Sequence, residues 1–545
     1  MSDWMNFCGT LDFGPLVPEE FDRYRPVIVD SLGYFLENLP SERTIQILVE
    51  QAAMPAHTGI DERLVAIARH CPALHKLGQV LARDRRLSPR FRKLLQSLES
   101  MKPTQSLPVV RAALERELGP LSALDISLDE QPLAEASVAV VVPFLWHRDQ
   151  DGQPQRGVFK LLKSGIEEKL NQELILLQRA GGFLQERCQE YKLPTLDYEG
   201  AFTEVAELLA RETHLDEEQK HMVTARTAYQ GMESVLVPDV FPFSTPRVTA
   251  MERVDGCKVT DVEGLPLMQR RELAVSIVEA LVAHPIWSDG PSTMFHADPH
   301  AGNLLYTDDH RLALVDWSLV GYLRKHDQVR LTQILLGAVA MDRNQISEAI
   351  CGLAAGGIDQ QALGSVVDEG LGHLRPGQWP GLPWLSGLMQ DSITKANARF
   401  DPGLIIFRKM LESLAGVVAD VSEDCRMDLV LASFFLRHFE QELGYRMIAP
   451  PFSRHFSTHL SNADLAKLWM STPSTALRSW FRLLQGVLVS RDRRREAVRM
   501  LRQVVAVQRN ILGSVVSAVR AVDAEPAALL GRAQCAPQHP GRPIM

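Results

Sequence analysis

The chain has 545 residues, 46% hydrophobic and 23% charged, which is enough for two or three packed units and too apolar for a disordered protein. Its formal net charge of −9 gives no support to nucleic-acid binding as a main role. Seven scattered cysteines without a Cys-x-x-Cys pair favour a reducing compartment, the cytoplasm, over a disulfide framework or structural zinc; no apolar run reaches the ~18 residues of a membrane span, and the first twenty residues lack a secretory pattern.

In chain order, residues 1–125 read as an N-terminal helical extension. Ile45, Ile47, Leu48 and Val49 form one apolar cluster and Leu64, Val65 and Ile67 another; Pro103 and Pro108 mark a break before a helix from Val109 to Leu118. Within this region stands Lys76-Leu-Gly-Gln79. In a helix Lys76 and Gln79 share a face, and Gly78 lets another surface approach the backbone closely.

Residues 126–255 change character. Ser137 to Leu145, a polar turn at Asp149 to Gln155, and Gly157 to Leu162 read as a strand hairpin with Lys160 in its second arm. Helical periodicity follows from Gly165 to Ala180 and from Phe202 to Tyr229, and a further strand spans Arg247 to Met251. Residues 256–445 are mostly helical around one more hairpin, and 446–545 form a C-terminal helical region with a Pro- and Gly-containing tail from Ala524. A small strand-rich lobe followed by a larger helical one is an α+β, bilobal, protein-kinase-like arrangement, with nucleotide between the lobes.

The second hairpin carries the chemistry. Leu304 to Tyr306 and Leu312 to Val315 read as two buried strands around a turn at Asp308-Asp309-His310, which would bring Asp316 back beside Asn303. Asp298, ahead of Pro299, is confined to extended conformations. One carboxylate (Asp298) to meet an acceptor, with an amide (Asn303) and a second carboxylate (Asp316) to hold Mg²⁺ against nucleotide phosphates, is what phosphoryl transfer needs. A buried ammonium at Lys160 requires an anionic partner; Glu218, on a later helix, fits, and would leave Lys160 over the α- and β-phosphates of ATP. Adenine would meet backbone groups from Met251 to Val254. A different reading takes His296, Asp298 and His300, alternating at period two, as transition-metal ligands, and leaves Asn303 and Asp316 without a task.

This set resembles the UbiB/AarF family of atypical kinase-like proteins over roughly residues 60–340. His296-Ala-Asp-Pro-His-Ala-Gly-Asn303 is similar to the family's His-Ala-Asp-Pro-His-Pro-Gly-Asn signature, with Ala301 in place of its second proline. Pro132-Leu-Ala-Glu-Ala-Ser137 looks like its alanine-rich loop, Lys76-Leu-Gly-Gln79 like its Lys-x-Gly-Gln motif, and Glu212 to Glu218 like the helix bearing its lysine-pairing glutamate. The resemblance implies an ATP- and Mg²⁺-dependent kinase or ATPase in or near isoprenoid-quinone or lipid metabolism. Asp298, Lys160 and Glu218 are then catalytic, Asn303 and Asp316 hold the metal, and Ala134, Ala136, Ser137, Lys76, Gln79, Met251 and Val254 join Lys160 in contacting the nucleotide. It also implies that Lys76 enters the nucleotide region and obstructs bulky protein substrates, so that the substrate is small or lipid-like.

Departures are visible. Asp316-Trp317-Ser318 stands where the family has Asp-Phe-Gly, so the glycine that permits backbone flipping is absent. Val140-Val141-Val142 replaces its Gln-Val-His, and no Ala-Pro-Glu ending appears. A small-molecule phosphotransferase of the aminoglycoside or choline kinase type and a nucleotide-binding, non-catalytic scaffold are the competing readings. Ten arginines against two acids lie between Arg478 and Arg520, with Val498, Leu501, Val505, Leu512, Val516 and Val519 at helical spacing. Such a helix suits either the inner, anionic face of a membrane or its own domain.

Overall fold

Alternation of apolar residues builds the first sheet. In β3 (Ala139–Trp146), Val140, Val142 and Phe144 point to one core, joined there by Phe159 and Leu161 of β4 (Gln155–Leu162) and by Val248 and Ala250 of β6 (Val248–Glu252). The computed structural model describes residues 17 and 19–467, apart from 56, 83–85, 99–104, 130–133, 136, 148–153, 188–189, 192–196, 263 and 375–378. β1 (Ile126–Leu128) and β2 (Ala134–Glu135) both pair with β3, giving the order β1-β3-β4-β6 with β2 off this path. The helix Leu107–Leu118 covers the Phe144 side through Val110 and Leu114. Pro108 does not break this helix but sits in its first turn, where a missing N–H costs nothing.

Gly157 faces Phe144 across the ladder, and a Cβ there would lie 2.3 Å from the ring. The ring cannot retreat, because it stacks on Phe159 at 4.1 Å and meets Phe241 and Phe243 edge-on. Gly157→Ala is expected to lower stability by about 1–3 kcal/mol through overpacking, read as a fall in the urea unfolding midpoint; an unchanged midpoint would mean the ring yields.

The opposite face of the sheet receives a long helix, Ile166–Arg187, through Ile166, Leu170, Leu174 and Leu177. Against it lies the N-terminal helical extension: α1 (Arg25–Glu37), α2 (Ser41–Ala53), α3 (Ile60–His70), α4 (Pro72–Leu81) and α5 (Pro89–Gln96). The apolar cluster expected on α2 is not a buried one. Ile47 alone is buried, while Ile45, Leu48 and Val49 are exposed, because successive residues of a helix face different directions. The periodic stretch Phe202–Tyr229 is two helices, Tyr198–Ala210 and Leu215–Tyr229, parted by a 3₁₀ turn at Arg211–Thr213.

The second sheet has the order β5-β10-β9-β7, with β5 at Val235–Leu236, β7 at Gly256–Lys258, β9 at Leu304–Thr307 and β10 at Leu312–Leu314. These two of the three described sheets belong to one compact unit made of Met1–Pro285, Met294–Tyr322 and Lys409–Cys425. A second unit, Ile286–Thr293, Leu323–Arg408 and Arg426–Met545, has described helices at Lys325–Val339, Arg343–Leu353, Gln360–Gly372, Leu382–Thr394 and Met427–Arg446. The segment 256–445 expected from the sequence contributes residues to both units. No described helix is long and apolar enough to cross a membrane. The arginine-rich stretch Arg478–Arg520 lies outside the described residues.

Candidate active site

The β9–β10 hairpin pairs Leu314 with Leu304, and one step further the Val315 N–H donates to the Asn303 carbonyl at 3.0 Å. This register sets Asp316 next to Asn303. The turn forms at the expected place, with His310 in the left-handed region at φ +66° and its Nδ1 2.7 Å from the Tyr306 hydroxyl.

Ahead of the hairpin, the main chain of Asp298 is pinned at three points. Its N–H donates to His296 Nδ1 at 3.2 Å, and its carbonyl accepts from the His300 N–H at 2.9 Å and from Asn303 Nδ2 at 3.1 Å. With Nδ2 engaged, the Asn303 amide oxygen is the atom left to offer. His296 is fully buried, and burial lowers its pKa, so the ring is neutral. Nδ1 accepts from Asp298, so Nε2 carries the proton and donates to the Val315 carbonyl at 3.2 Å. Both nitrogens are spent on main chain. His300 Nδ1 likewise accepts from the Gly302 N–H at 3.0 Å. The transition-metal reading therefore loses its histidines.

Lys160, on the face of β4 opposite Phe159 and Leu161, puts Nζ 2.8 Å from both carboxylate oxygens of Glu218 and 3.4 Å from Asp316 Oδ2. Burial alone would lower the Lys160 pKa, but Asp316 and Glu218 outweigh it and raise the ammonium above its ordinary value. Burial would raise Asp316; Lys160 and Lys76 outweigh it and hold the carboxyl well below the usual range. Glu218 goes the other way, pushed up to about 7 by burial against the pull of Lys160. Of the two carboxylates, Asp316 is held the more firmly in its ionised form.

Lys76 joins the same cluster. Its Nζ lies 2.8 Å from Glu212 Oε1. Burial would lower its pKa, and Glu212, Asp298 and Asp316 together raise it. The 3₁₀ turn that interrupts the two helices carries Glu212, a partner that no pattern around Lys76 could indicate. Gln79 departs from its expected place. Its Nε2 donates to the Leu98 carbonyl at 3.0 Å, and His75 Nε2 meets the same oxygen at 2.8 Å. A carbonyl beyond the end of α5 has no helical partner, and the two side chains one turn apart on α4 satisfy it. Gly78 permits the approach, since a Cβ there would lie 2.8 Å from Leu98 Cδ1.

The remaining expected contacts are mixed. Ala136 lies outside the described residues; Ala134 pairs with Val141 in the sheet, and Ser137 is buried. Glu135, between the two alanines, forms a buried ion pair with Lys163 at 2.7 Å and ties this loop to the end of β4. Met251 is opposite Val158 on one side and bridges Val240 on the other, and the Glu252 and Arg253 N–H groups donate to Asp239 and Arg156 carbonyls. The Glu252 and Arg253 N–H groups are thus used within the protein, and Val254 follows at the strand's exit.

Two hard oxygen donors, the ionised Asp316 carboxylate and the Asn303 amide oxygen, suit Mg²⁺, which takes few protein ligands and keeps its waters. Two ammonium groups, Lys160 at 3.4 Å from Asp316 and Lys76 acting on it through its charge, suit a polyanion with a divalent cation.

Residues 93–350 match the model of the ABC1 atypical kinase-like domain. The chain is 28% identical over 303 residues to "Probable protein kinase UbiB" of Marinobacter nauticus, covering 53% of this chain and 52% of that one. It is 26% identical over 343 residues to the protein of the same name in Xanthomonas oryzae pv. oryzae, covering 59% and 60%. A third relative, the chloroplastic protein Activity of BC1 complex kinase 7 of Arabidopsis thaliana, is 26% identical over 289 residues, covering 52% and 40%. The chain thus spans 40 to 60% of the length of these relatives. A solved complex of Rv3197 with erythromycin from Mycobacterium tuberculosis overlays with a TM-score of 0.46 at 17% identity, covering 70% of this chain and 95% of that one. The fold is α+β and kinase-like, as the domain match and the mixed sheets and helices agree.

Proposed function

We propose that this chain, which belongs to the UbiB/AarF family of atypical kinase-like proteins, binds a Mg²⁺–ATP complex and transfers its terminal phosphoryl group to a small or lipid-like acceptor or to water. The observation that carries this reading is Lys160, held by both oxygens of Glu218 and 3.4 Å from the ionised Asp316. An amine fixed in this way neutralises phosphate charge without having to reorganise. Asn303 and Asp316 would hold Mg²⁺, which supplies charge neutralisation at the phosphate oxygens. Asp298, pinned through its main chain, would orient or deprotonate the acceptor.

In this reading the acceptor for isoprenoid-quinone or other lipid chemistry would share the site with Lys76. A non-catalytic scaffold is the second reading. It is favoured by the Lys76–Glu212 contact at 2.8 Å, which already neutralises part of the acidic cluster, and by the missing glycine at Ser318.

Titrating ATP binding against Mg²⁺, alongside phosphate release, separates the two. The parent chain is expected to bind ATP in a Mg²⁺-dependent way and to turn it over, and Asp316→Asn to need at least about tenfold more Mg²⁺ for half-maximal binding, as loss of a metal-site carboxylate does. Binding without turnover in the parent would select the scaffold; no Mg²⁺-dependent binding would end both readings.

A further inference from the structure

Asp316 sits in the left-handed region at φ +59°, a conformation that favours glycine. No glycine follows it to ease the turn, so the surrounding contacts must hold it. Two of them act on one peptide unit. The Ser318 N–H donates to Asp316 Oδ1 at 3.3 Å, and the carbonyl of the same peptide, Trp317 O, lies 3.0 Å from His221 Nδ1. A carbonyl can only accept, so His221 Nδ1 carries the proton and donates. In a trans peptide the C=O and N–H point in opposite directions. Fixing the oxygen toward the helix Leu215–Tyr229 therefore aims the N–H at the Asp316 carboxylate. Rotating this peptide would lose both bonds and turn a carbonyl toward a carboxylate.

We propose that His221 is a positioning residue: by donating to the Trp317 carbonyl it sets the peptide plane that orients the Asp316 carboxylate toward the metal. This rests on the reading of Asp316 as a metal ligand. The Trp317 side chain does not need His221, since it is fully buried and its Nε1 donates to the Leu314 carbonyl at 3.1 Å. His221 also lies three residues after Glu218 on the same helix and so shares its face. That one helix then controls Asp316 twice, through the Lys160 ammonium and through the peptide after Trp317.

Equilibrium binding of a non-hydrolysable ATP analogue, titrated with Mg²⁺, tests the proposal on the full chain. His221→Phe keeps a ring and removes the donor; it is expected to need about tenfold more Mg²⁺ for half-maximal binding, the usual scale for an outer contact that orients a metal ligand. Metal-free binding of the analogue should stay within twofold of the parent. His221→Asn, whose Nδ2 offers a donor at the same distance from Cα, should restore the parent's Mg²⁺ requirement. If His221→Phe does not fold, His221→Gln, with its donor one bond further out, carries the same expectation. A Mg²⁺ titration of the folded Phe or Gln variant that matches the parent, or an Asn variant no better than that Phe or Gln variant, overturns the assignment. A parent chain that shows no Mg²⁺-dependent binding instead removes the reading of Asp316 beneath it.

Discussion

Asp298→Asn is expected to reduce nucleotide turnover by about 10²–10⁴-fold, the scale of a lost general base, while leaving Mg²⁺-dependent ATP binding within about twofold of the parent. The separation follows from which atoms of Asp298 do what. Its carbonyl holds Asn303 and its N–H meets His296, and an asparagine keeps both main-chain contacts, so the metal-side geometry survives. Only the side chain loses its ability to take a proton. One neighbour of the carboxylate, His300 Nε2 at 3.8 Å, is beyond hydrogen-bond distance, and asparagine keeps the side chain's size. Phosphate release by the purified variant is the measurement. Turnover equal to the parent would assign the acceptor proton to another group.

Glu173→Ala is the second large effect, and it concerns stability. Glu173 is fully buried on the long helix Ile166–Arg187. One carboxylate oxygen receives the Arg43 guanidinium, and the other accepts the Ala73 N–H at the start of α4 at 2.8 Å. Burial pushes its pKa up to about 7, against the pull of the Ala73 amide and of Arg43. Removing it leaves a guanidinium with 9% side-chain exposure without its partner, at a cost of about 3–5 kcal/mol. A helix N-terminal amide also goes unsatisfied. Urea unfolding would read the loss. Replacing both partners by apolar residues, Arg43→Met with Glu173→Leu, should recover most of it, because no buried charge remains. A single variant within about 1 kcal/mol of the parent would show that water reaches Arg43. The helix anchored by Glu173 is the one that carries Lys76, so the same contact sets where that ammonium stands.

Short-range features were legible in the residues. The hairpin from Leu304 to Leu314, the placement of Lys160 between two inward-facing apolar neighbours, and the turn at Asp308-Asp309-His310 all follow from period-two alternation and turn chemistry over fewer than a dozen residues. The order Lys160, Glu218, Asp298, Asn303, Asp316 could be read for the same reason, since each residue sits at a recognisable point of a strand, helix or loop. Pro108 was misread as a break because a proline in the first turn and a proline after a helix look alike locally.

Beyond the pairing of Lys160 with Glu218, partner choice was not legible. Glu173 meets residues 130 and 100 positions away, and nothing near it in the chain marks it as buried. Gln79 shares a helix with Lys76, but the two serve different neighbours: one satisfies the Leu98 carbonyl and the other pairs with Glu212. His221 gains its role only when the loop after Asp316 arrives 96 residues later.

By itself, then, the chain's local chemistry determined which residue types stand ready for phosphate and metal and on which elements. The tertiary structure alone decided which carboxylate is held the more firmly ionised and which side chains orient it, because those outcomes depend on loss of water and on contacts between segments distant in the chain.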